Sequence, residues 1–504
     1  MKFNSKTKKK NKEMNYEGAE AYRLSPEWQI YVAAVTSSLN NQFYEKAEER
    51  VERLRKLIKQ CDPAFVARLA TYTRQKMNLR SIPLVLAVEL AKVHSGDATV
   101  KKLISQIIQR VDEITELLAY YQLANERKDT KKLNRLSKQI QAGLQIAFNR
   151  FDEYQFAKYN RDTEIKLRDA LFLVHPKAKD EAQQMIFNKI VNNVLDTPYT
   201  WETELSKLGQ IQYTDEKERS VAFRMKWEEL IDSQKIGYMA LIRNLRNILE
   251  AGVSQQHLIK ICEVLSHPEA VRRSKQLPFR FLAAYREISK VKSAYAGRVM
   301  DALEKAVTIS AESIKGFDKN STIVIACDVS GSMQRPVSAK SKILCYDIGL
   351  MLAMLLKSRC ENTITGIFGD SWKIINMPTK SILSNVNTLY HHANEVGYST
   401  NGYLVIQDLI QRKEQVDKVM IFTDCQLWNS RNDQKITDVW NTYKKMSPSS
   451  KLYLFDLAGY GNTPLDINQK DVYLIAGWSD KIFDIISAID TGSNALDEIK
   501  KIEL

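Results

Sequence analysis

Three polar residues at alternating positions, Asp328, Ser330 and Ser332, follow the apolar run at residues 322–326. One carboxylate and two hydroxyls at this spacing, on a turn tightened by Gly331, form an oxygen-ligand set for a hard divalent cation. Such a run, ending abruptly in polar groups, is typical of a buried parallel strand. The pattern therefore predicts a Mg²⁺ site at the carboxyl end of a strand, unless Asp328 and the hydroxyls merely cap the following helix.

Strands and helices alternate along the rest of this region. The predicted strands are 322–326, 363–368, 418–422, 451–457 and 471–475, and the predicted helices lie near 343–357, 406–413 and 481–488. This alternation predicts a doubly wound parallel sheet, in which ligands bind beyond the carboxyl ends of the strands. Asp424 stands at such an end, and Thr400 lies in a polar loop between strands.

The ligand set resembles the metal-ion-dependent adhesion site of a von Willebrand factor A domain, with Asp328, Ser330, Ser332, Thr400 and Asp424 as the matching residues. The resemblance implies that the hydroxyls approach the ion, that the acids act largely through water, and that a partner's acidic group completes the coordination. Ser399-Thr400 stands where many such domains have Gly-Thr, so Ser399 competes with Thr400 for the ligand role.

The first 300 residues have a different character. Apolar residues recur at helical spacing, as in the stripe that includes Ile104, Ile107 and Val111, and Pro or Gly interrupts the pattern at short intervals. Helices of ten to twenty residues with almost no strand signal predict an α-solenoid or helical array. The lysine-rich residues 1–13 predict a disordered basic tail.

Charge is distributed unevenly. The net charge is +14, yet only 19 of the 74 Lys and Arg and 20 of the 60 Asp and Glu lie after residue 320. All of the positive excess therefore precedes the metal motif. This asymmetry indicates a polyanion-binding first part and a neutral second part, with solubility and scattered helix surface charge as the alternative explanation.

Six dispersed segments of the first part resemble the TROVE module in order. They are 15–22, 48–55, 79–83, 166–177, 238–245 and 277–285. A TROVE module followed by a von Willebrand factor A domain is the arrangement of the Ro family. We therefore expect a basic tail at 1–13, a TROVE region at 14–315 and an A domain at 316–504.

This resemblance implies a monomeric, closed ring of HEAT-like helical repeats. Family members bind small Y RNAs on a basic outer surface and the 3′ single-stranded ends of misfolded RNAs through the hole. They act in non-coding RNA quality control, and in bacteria a Y RNA can tether the ring to the exoribonuclease polynucleotide phosphorylase. RNA would thus be the principal partner.

The best local RNA-binding segment interleaves cations with aromatic rings, so that phosphates can be neutralised while bases stack. Its candidate residues are Lys158, Arg161, Lys166, Arg168, His175 and Lys177. In the resemblance, Lys158, Arg161 and His175 match positions implicated in Y RNA contact. The alternatives are a solvated helix face for Lys166 and Arg168 and a helix-terminal hydrogen bond for His175.

Two further pairs of cations are candidates. Arg243 and Arg246 lie three residues apart on a helix, where they either face RNA or bridge acids of an adjoining repeat. Arg272 and Arg273 form a basic cluster that serves RNA or is an ordinary surface turn.

Catalysis is not expected, because the sequence lacks a phosphate-binding Gly-rich loop, a nucleophile elbow and an HExxH motif. The six cysteines form no CxxC pair and lie mostly in apolar runs, so we expect reduced, buried thiols in a cytoplasmic protein. No apolar run approaches the length of a membrane span. The rival function is a protein-interaction scaffold, whose repeats and A domain both bind polypeptides.

Overall fold

The protein was analysed as a computed structural model. It describes residues 12–36, 42, 44–125, 136–312, 314, 321–338, 341–428 and 435–504. The described residues divide into two compact units. The first comprises residues up to 53, 271–286 and 303–498, and the second comprises 54–270, 287–302 and 499–504. Most of the predicted basic tail, residues 1–11, lies outside the described residues.

Helices dominate the described part of the chain. They are α1 Pro26–Val35, α2 Ala47–Ile58, α3 Pro63–Gln75, α4 Ser81–Val93, α5 Thr99–Ile107, α6 Asp112–Ala124, α7 Lys138–Phe148, α8 Glu153–Tyr159, α9 Leu167–Val174, α10 Glu181–Asn192, α11 Trp201–Gly209, α12 Glu216–Asp232, α13 Tyr238–Glu250, α14 Gln255–Leu265, α15 Pro268–Ser274, α16 Pro278–Ile288, α17 Ala296–Ala311, α18 Cys345–Lys357, α19 Ile382–His392, α20 Tyr403–Gln411, α21 Ile436–Met446, α22 Ile482–Asp490 and α23 Ala495–Lys500.

The strands form two sheets. They are β1 Lys12–Met14, β2 Glu20–Arg23, β3 Ile323–Asp328, β4 Thr363–Phe368, β5 Trp372–Ile374, β6 Lys418–Thr423, β7 Lys451–Asp456, β8 Asn462–Thr463 and β9 Val472–Ala476. The larger sheet has the order β5-β4-β3-β6-β7-β9, and only β5 runs antiparallel to its neighbour. The predicted parallel sheet is confirmed, and β5 is an addition to it.

The second unit, which we call the helical unit, follows the predicted amphipathic pattern. In α5, Val100, Leu103 and Ile104 are fully buried, whereas Lys101 and Lys102 on the other face are exposed. Gly143 of α7 lets the two helices approach, since a Cβ there would lie 2.7 Å from the Ile104 Cβ. Short amphipathic helices packed pairwise in this way form the helical array that the sequence predicts.

The first unit, which contains the larger sheet and which we call the sheet unit, buries its central strands on both faces. Every residue of β3 and β6 is buried, and β3 pairs in parallel register with β4 on one side and β6 on the other. Parallel strands buried on both faces require apolar residues at nearly every position, which explains why they were detectable in the sequence. Their carboxyl ends lie side by side, with Asp328 opposite Phe368.

The small sheet corrects the prediction of a disordered tail through residue 13. Lys12 and Glu13 belong to β1, which pairs antiparallel with β2, and β2 continues onto β8 through Tyr22 and Thr463. An ion pair of 2.7 Å joins Lys12 to Glu20 within the hairpin. The polar composition of these residues predicts disorder, because β8, the strand that stabilises the hairpin, is remote in sequence.

All six cysteines lie in the described residues and none forms a disulfide; five are buried, as predicted, whereas Cys262 is only half-buried. Burial raises the pKa of Cys345 to about 11, so this thiol is protonated at neutral pH. In the described residues, no helix combines the length and the apolar character that crossing a bilayer requires.

A buried ion pair fixes the N-terminal residues within the sheet unit. Arg50 is 1% exposed, and its Nε donates to Glu45 Oε2 at 2.8 Å, while Nη2 donates to the Ala458 carbonyl. Arg53 binds the other oxygen of the same carboxylate at 2.7 Å and the Gly459 carbonyl at 2.7 Å. Glu45 therefore neutralises two guanidinium groups, one of them fully removed from solvent.

We predict that Glu45→Gln destabilises this unit by about 3–5 kcal/mol, because it leaves Arg50 as an uncompensated buried charge. Chemical denaturation followed by tryptophan fluorescence would measure the shift in midpoint. Glu48→Gln, an identical change at an exposed position of α2, is the matched control. Equal midpoints for the two variants would contradict the prediction.

Candidate metal centre and nucleic-acid interface

The candidate metal centre begins at the end of β3. Asp328 is the last residue of the strand and is 1% exposed. Its Oδ1 accepts the Ser330 backbone N–H at 2.9 Å, and its Oδ2 accepts the Thr423 hydroxyl at 2.7 Å. Ser330 and Ser332 lie at the start of a short 3₁₀ helix, with their hydroxyl oxygens 3.3 Å apart. Both hydroxyls are buried beside the carboxylate, as the sequence predicts.

Asp424 and Thr400 complete the predicted set and leave polar atoms unused. Asp424 follows β6, and its Oδ1 accepts the Gln426 backbone N–H at 2.9 Å. Its Oδ2 and the Thr400 hydroxyl are buried and lack a hydrogen-bond partner within the described part of the chain. Buried oxygens without partners are costly, and a bound cation would satisfy them.

Backbone contacts bring the three ligand segments together. The Gly331 N–H donates to the Tyr398 carbonyl at 3.0 Å, and the Trp428 N–H, four residues after Asp424, donates to the Thr400 carbonyl at 3.0 Å. Thr400 is 3% exposed, whereas Ser399 is half-buried and its N–H binds Asp370. The burial favours Thr400 over Ser399 as the hydroxyl that faces the acids.

The electrostatics of the site favour a cation. Burial and, next to it, the charge of Asp424 raise the pKa of Asp328 to about 7. Burial also raises the pKa of Asp424, and it raises the pKa of Asp456 to about 6. Several buried carboxylates close together disfavour their own ionisation, and a divalent cation would remove this penalty.

The donor set fits a hard cation rather than a softer transition metal. It consists of carboxylates and hydroxyls only, and in the described residues no cluster of three His, Cys, Asp or Glu side chains could hold a metal. Oxygen-only sites with few carboxylates are the kind that Mg²⁺ occupies, because this ion keeps several waters. Two adjacent histidines, His391 and His392, lie apart from this donor set at the end of α19, where His392 binds Glu395.

Three of the predicted RNA-binding cations line one cleft of the helical unit. Lys158 of α8, Arg161 of the following loop and Arg243 of α13 border a cavity of about 630 Å³. All three are exposed, although Arg243 is distant from the other two in sequence. Residues between Leu195 and Thr203 also line the cleft, and they include Trp201 and two acids, Asp196 and Glu202.

Sequence reasoning missed Trp201 as part of this surface. Its ring stacks on Trp227 with centroids 6.3 Å apart and planes inclined by 18°. Lys158 also lies 5.7 Å from the Tyr154 ring, and Arg110 lies 4.5 Å from the Tyr159 ring. The sequence signal for this surface is the aromatic pair Tyr199 and Trp201. Tertiary folding, rather than closeness in sequence, brings Trp201 to the cations.

The remaining candidates of this segment surround α9. Lys166 pairs with Asp162 at 2.9 Å, both largely exposed, and Arg168 stacks over Phe172 at 5.6 Å. His175 ends the helix in a left-handed conformation, with φ 49°, and its imidazole is exposed. Lys177 follows in the turn, where its carbonyl accepts a hydrogen bond from Asn149.

The other two cation pairs make ionic contacts. Arg246 binds Glu287 at 3.1 Å and Glu250 at 3.7 Å, which is the bridging alternative noted for this position. Arg272 binds Glu312 at 3.2 Å within the sheet unit, and Arg273 is exposed beside it. Arg243 is therefore the better candidate of its pair for contact with an external anion.

We predict that Gly369→Ala disrupts the metal centre, because a Cβ at this position would lie 2.1 Å from the Gly397 carbonyl oxygen. Overpacking of this kind destabilises by about 1–3 kcal/mol and displaces the loop that carries Thr400. Thermal unfolding would detect the loss. Gly209→Ala is the control, since nothing lies within 4 Å of its Cβ position; an equal melting temperature for wild type and Gly369→Ala would refute the clash.

Comparison with known proteins supports a TROVE region followed by a von Willebrand factor A domain. The TROVE domain model matches residues 9–226 and 194–298, and the Ro60 vWA domain model matches residues 322–489. The crystal structure of the Deinococcus radiodurans Ro (Rsr) protein is similar, with a TM-score of 0.58 and 18% identity, covering 92% of this chain and 99% of that one.

Telomerase protein component 1 of Rattus norvegicus is 25% identical over 300 aligned residues, covering 46% of this chain and 11% of that protein. The Mus musculus counterpart is 26% identical over 301 residues, with the same coverage. This chain therefore spans about a tenth of the length of these relatives. With both family models matched in order along most of the chain, the protein belongs to the TROVE and Ro60 vWA domain family.

Proposed function

We propose that this protein binds small, structured non-coding RNA of the Y type, and 3′ single-stranded ends of misfolded RNA, through its helical unit. In this role it is a non-catalytic ribonucleoprotein scaffold in RNA quality control. The observation that carries the proposal is the convergence of Lys158, Arg161 and Arg243 on one cleft that also contains Trp201.

The chemistry of this cleft suits a nucleic-acid strand. Exposed lysine and arginine side chains neutralise phosphates, and the partly exposed indole of Trp201 offers a face on which a base can stack. Arginine also binds phosphate through two parallel hydrogen bonds, which fixes orientation as well as charge. A cavity of about 630 Å³ accommodates more than a single phosphate group.

Family membership supports the finer parts of the proposal. The TROVE model covers the segment that contains Lys158, Arg161 and His175. If an exoribonuclease such as polynucleotide phosphorylase is a partner, the RNA rather than a protein surface provides the link. The competing function, a scaffold for polypeptides, predicts binding that does not depend on these cations.

We predict that replacing Lys158, Arg161 and Arg243 together with Ala weakens binding of a hairpin RNA that carries a single-stranded 3′ tail. The slope of log Kd against log salt should decrease by about 2, because three phosphate contacts no longer release counterions. Fluorescence anisotropy over a series of KCl concentrations would measure both quantities.

A triple variant of equal charge change is the control, with Lys380, Lys445 and Lys470 of the sheet unit replaced by Ala; all three are exposed. If both triple variants lose affinity equally, binding reflects net charge rather than the cleft. If neither loses affinity while polypeptide partners are retained, the scaffold function is the correct one.

We also propose that Asp328, Ser330, Ser332, Thr400 and Asp424 hold a Mg²⁺ ion. The unpartnered Asp424 Oδ2 and Thr400 hydroxyl, buried beside a second carboxylate, support this assignment. When bound, the ion would neutralise the buried carboxylates and offer a coordination position to an acidic group of a partner protein. The chain's own part is to position the oxygens and to exclude bulk solvent.

We predict that millimolar MgCl₂ raises the melting temperature of the wild type and has no such effect on Asp424→Asn. A ligand that binds only the folded state at 100 times its Kd adds about 2.7 kcal/mol of stability. Differential scanning calorimetry with and without EDTA would measure the shift. Glu361→Gln, at an exposed position of the same unit, should behave like the wild type; an unchanged melting temperature in the wild type would exclude the site.

A further inference from the structure

The turn between β1 and β2 lies beside the candidate metal centre. Asn15 is buried, and its Nδ2 donates to the Leu427 carbonyl at 2.9 Å. The next residue, Tyr16, donates its backbone N–H to Gln426 Oε1 at 3.0 Å. The Gln426 N–H in turn binds Asp424, so one residue links the turn to a predicted ligand.

The conformation of this turn is well determined by internal contacts. The Asn15 side chain accepts the Ala19 N–H at 2.8 Å, and the Gly18 N–H donates to the Asn15 carbonyl at 3.0 Å. Gly18 adopts a φ of 79°, which glycine tolerates without steric cost. The turn therefore presents Glu17, its half-buried central residue, in one defined position.

Tyr44 joins Glu17 to the metal centre. Its ring stacks on Tyr16 at 5.1 Å and meets the edge of Tyr460 at 5.4 Å, and its hydroxyl donates a hydrogen bond to the Glu17 carboxylate. Burial, this hydrogen bond and the charge of Asp424 raise the pKa of Tyr44, while the Ser332 hydroxyl lowers it. The phenol thus lies within the electrostatic reach of two predicted ligands.

The Glu17 charge also influences the candidate centre. After burial, the Glu17 charge contributes to raising the pKa of Asp424. In the described residues no cluster of three acids could hold a metal, so Glu17 does not form a ligand set with Asp328 and Asp424. Its hydrogen bond with Tyr44 is therefore the contact that links Glu17 to the candidate centre.

We propose that Glu17 and Tyr44 form an internal cover of the cation site, so that an external carboxylate gains access only when the β1–β2 turn moves. This inference rests on the proposed Mg²⁺ site. Glu17 repels an incoming acid, and the Tyr44 hydroxyl occupies the approach to Ser332. The partner class that fits the uncovered site is an acidic side chain or a carboxyl terminus.

Acetate is the probe for this inference, because it is the simplest carboxylate. Isothermal titration calorimetry would measure Mg²⁺ affinity in sodium acetate and in sodium chloride of equal ionic strength. For the wild type, acetate should leave the affinity unchanged. For Glu17→Gln and Tyr44→Phe, acetate should raise the affinity about tenfold, because an added anionic ligand then completes the coordination.

Glu13→Gln is the matched control, since it removes one carboxylate from the same hairpin at a half-buried position without changing the turn. It should respond as the wild type does. Tyr44→Phe retains the ring that packs on Tyr16 and Tyr460, and circular dichroism would verify that each variant is folded.

The outcomes separate this inference from the proposed site. If the wild type binds no Mg²⁺, both the site and its cover are wrong. If the wild type binds Mg²⁺ and acetate has the same effect on all four proteins, the site stands and the cover does not exist. An acetate effect in the wild type as large as that in Glu17→Gln would also overturn the cover.

Discussion

Negative charge removed from water is the constraint on which the sheet unit depends. Asp328 and Asp424 end adjacent central strands, and both are 1% exposed. Two such carboxylates repel each other in a medium of low dielectric constant, and the surrounding groups offset this repulsion only in part. Backbone amides of Ser330 and Gln426 and the Thr423 hydroxyl each bind one oxygen, and the proposed cation would supply the rest of the compensation.

The two candidate sites differ in the burial and the sign of the groups that would bind a charged ligand. The candidate metal centre has few, buried and rigidly positioned oxygens, for which displacements of less than 1 Å would matter. The candidate cleft of the helical unit has exposed cations on two helices and a loop, whose attraction to phosphate would be long-ranged but screened by salt. Arg246 illustrates the limit of the second strategy, because neighbouring Glu250 and Glu287 already satisfy a cation on the same helix as Arg243.

What the sequence predicts well is local. The run before Asp328 is apolar at every position because β3 is buried on both faces, so the strand and its polar terminus are visible together. The cleft is different, since Lys158 and Trp201 meet only through tertiary packing. The β1–β2 hairpin was missed for the same reason: its short, polar strands carry no apolar pattern, and pairing with Thr463 stabilises them.

The pairing of β2 with β8 also has a consequence for biosynthesis. Tyr22 and Thr463 are about 440 residues apart, and at a synthesis rate of about 5–20 residues per second β8 is made roughly 20–90 s after β2. During this interval Arg50, which binds the Ala458 carbonyl in the final structure, has no such acceptor. The β1–β2 hairpin and Arg50 are therefore among the last parts of the sheet unit to reach their native packing, although they are among the first to be made.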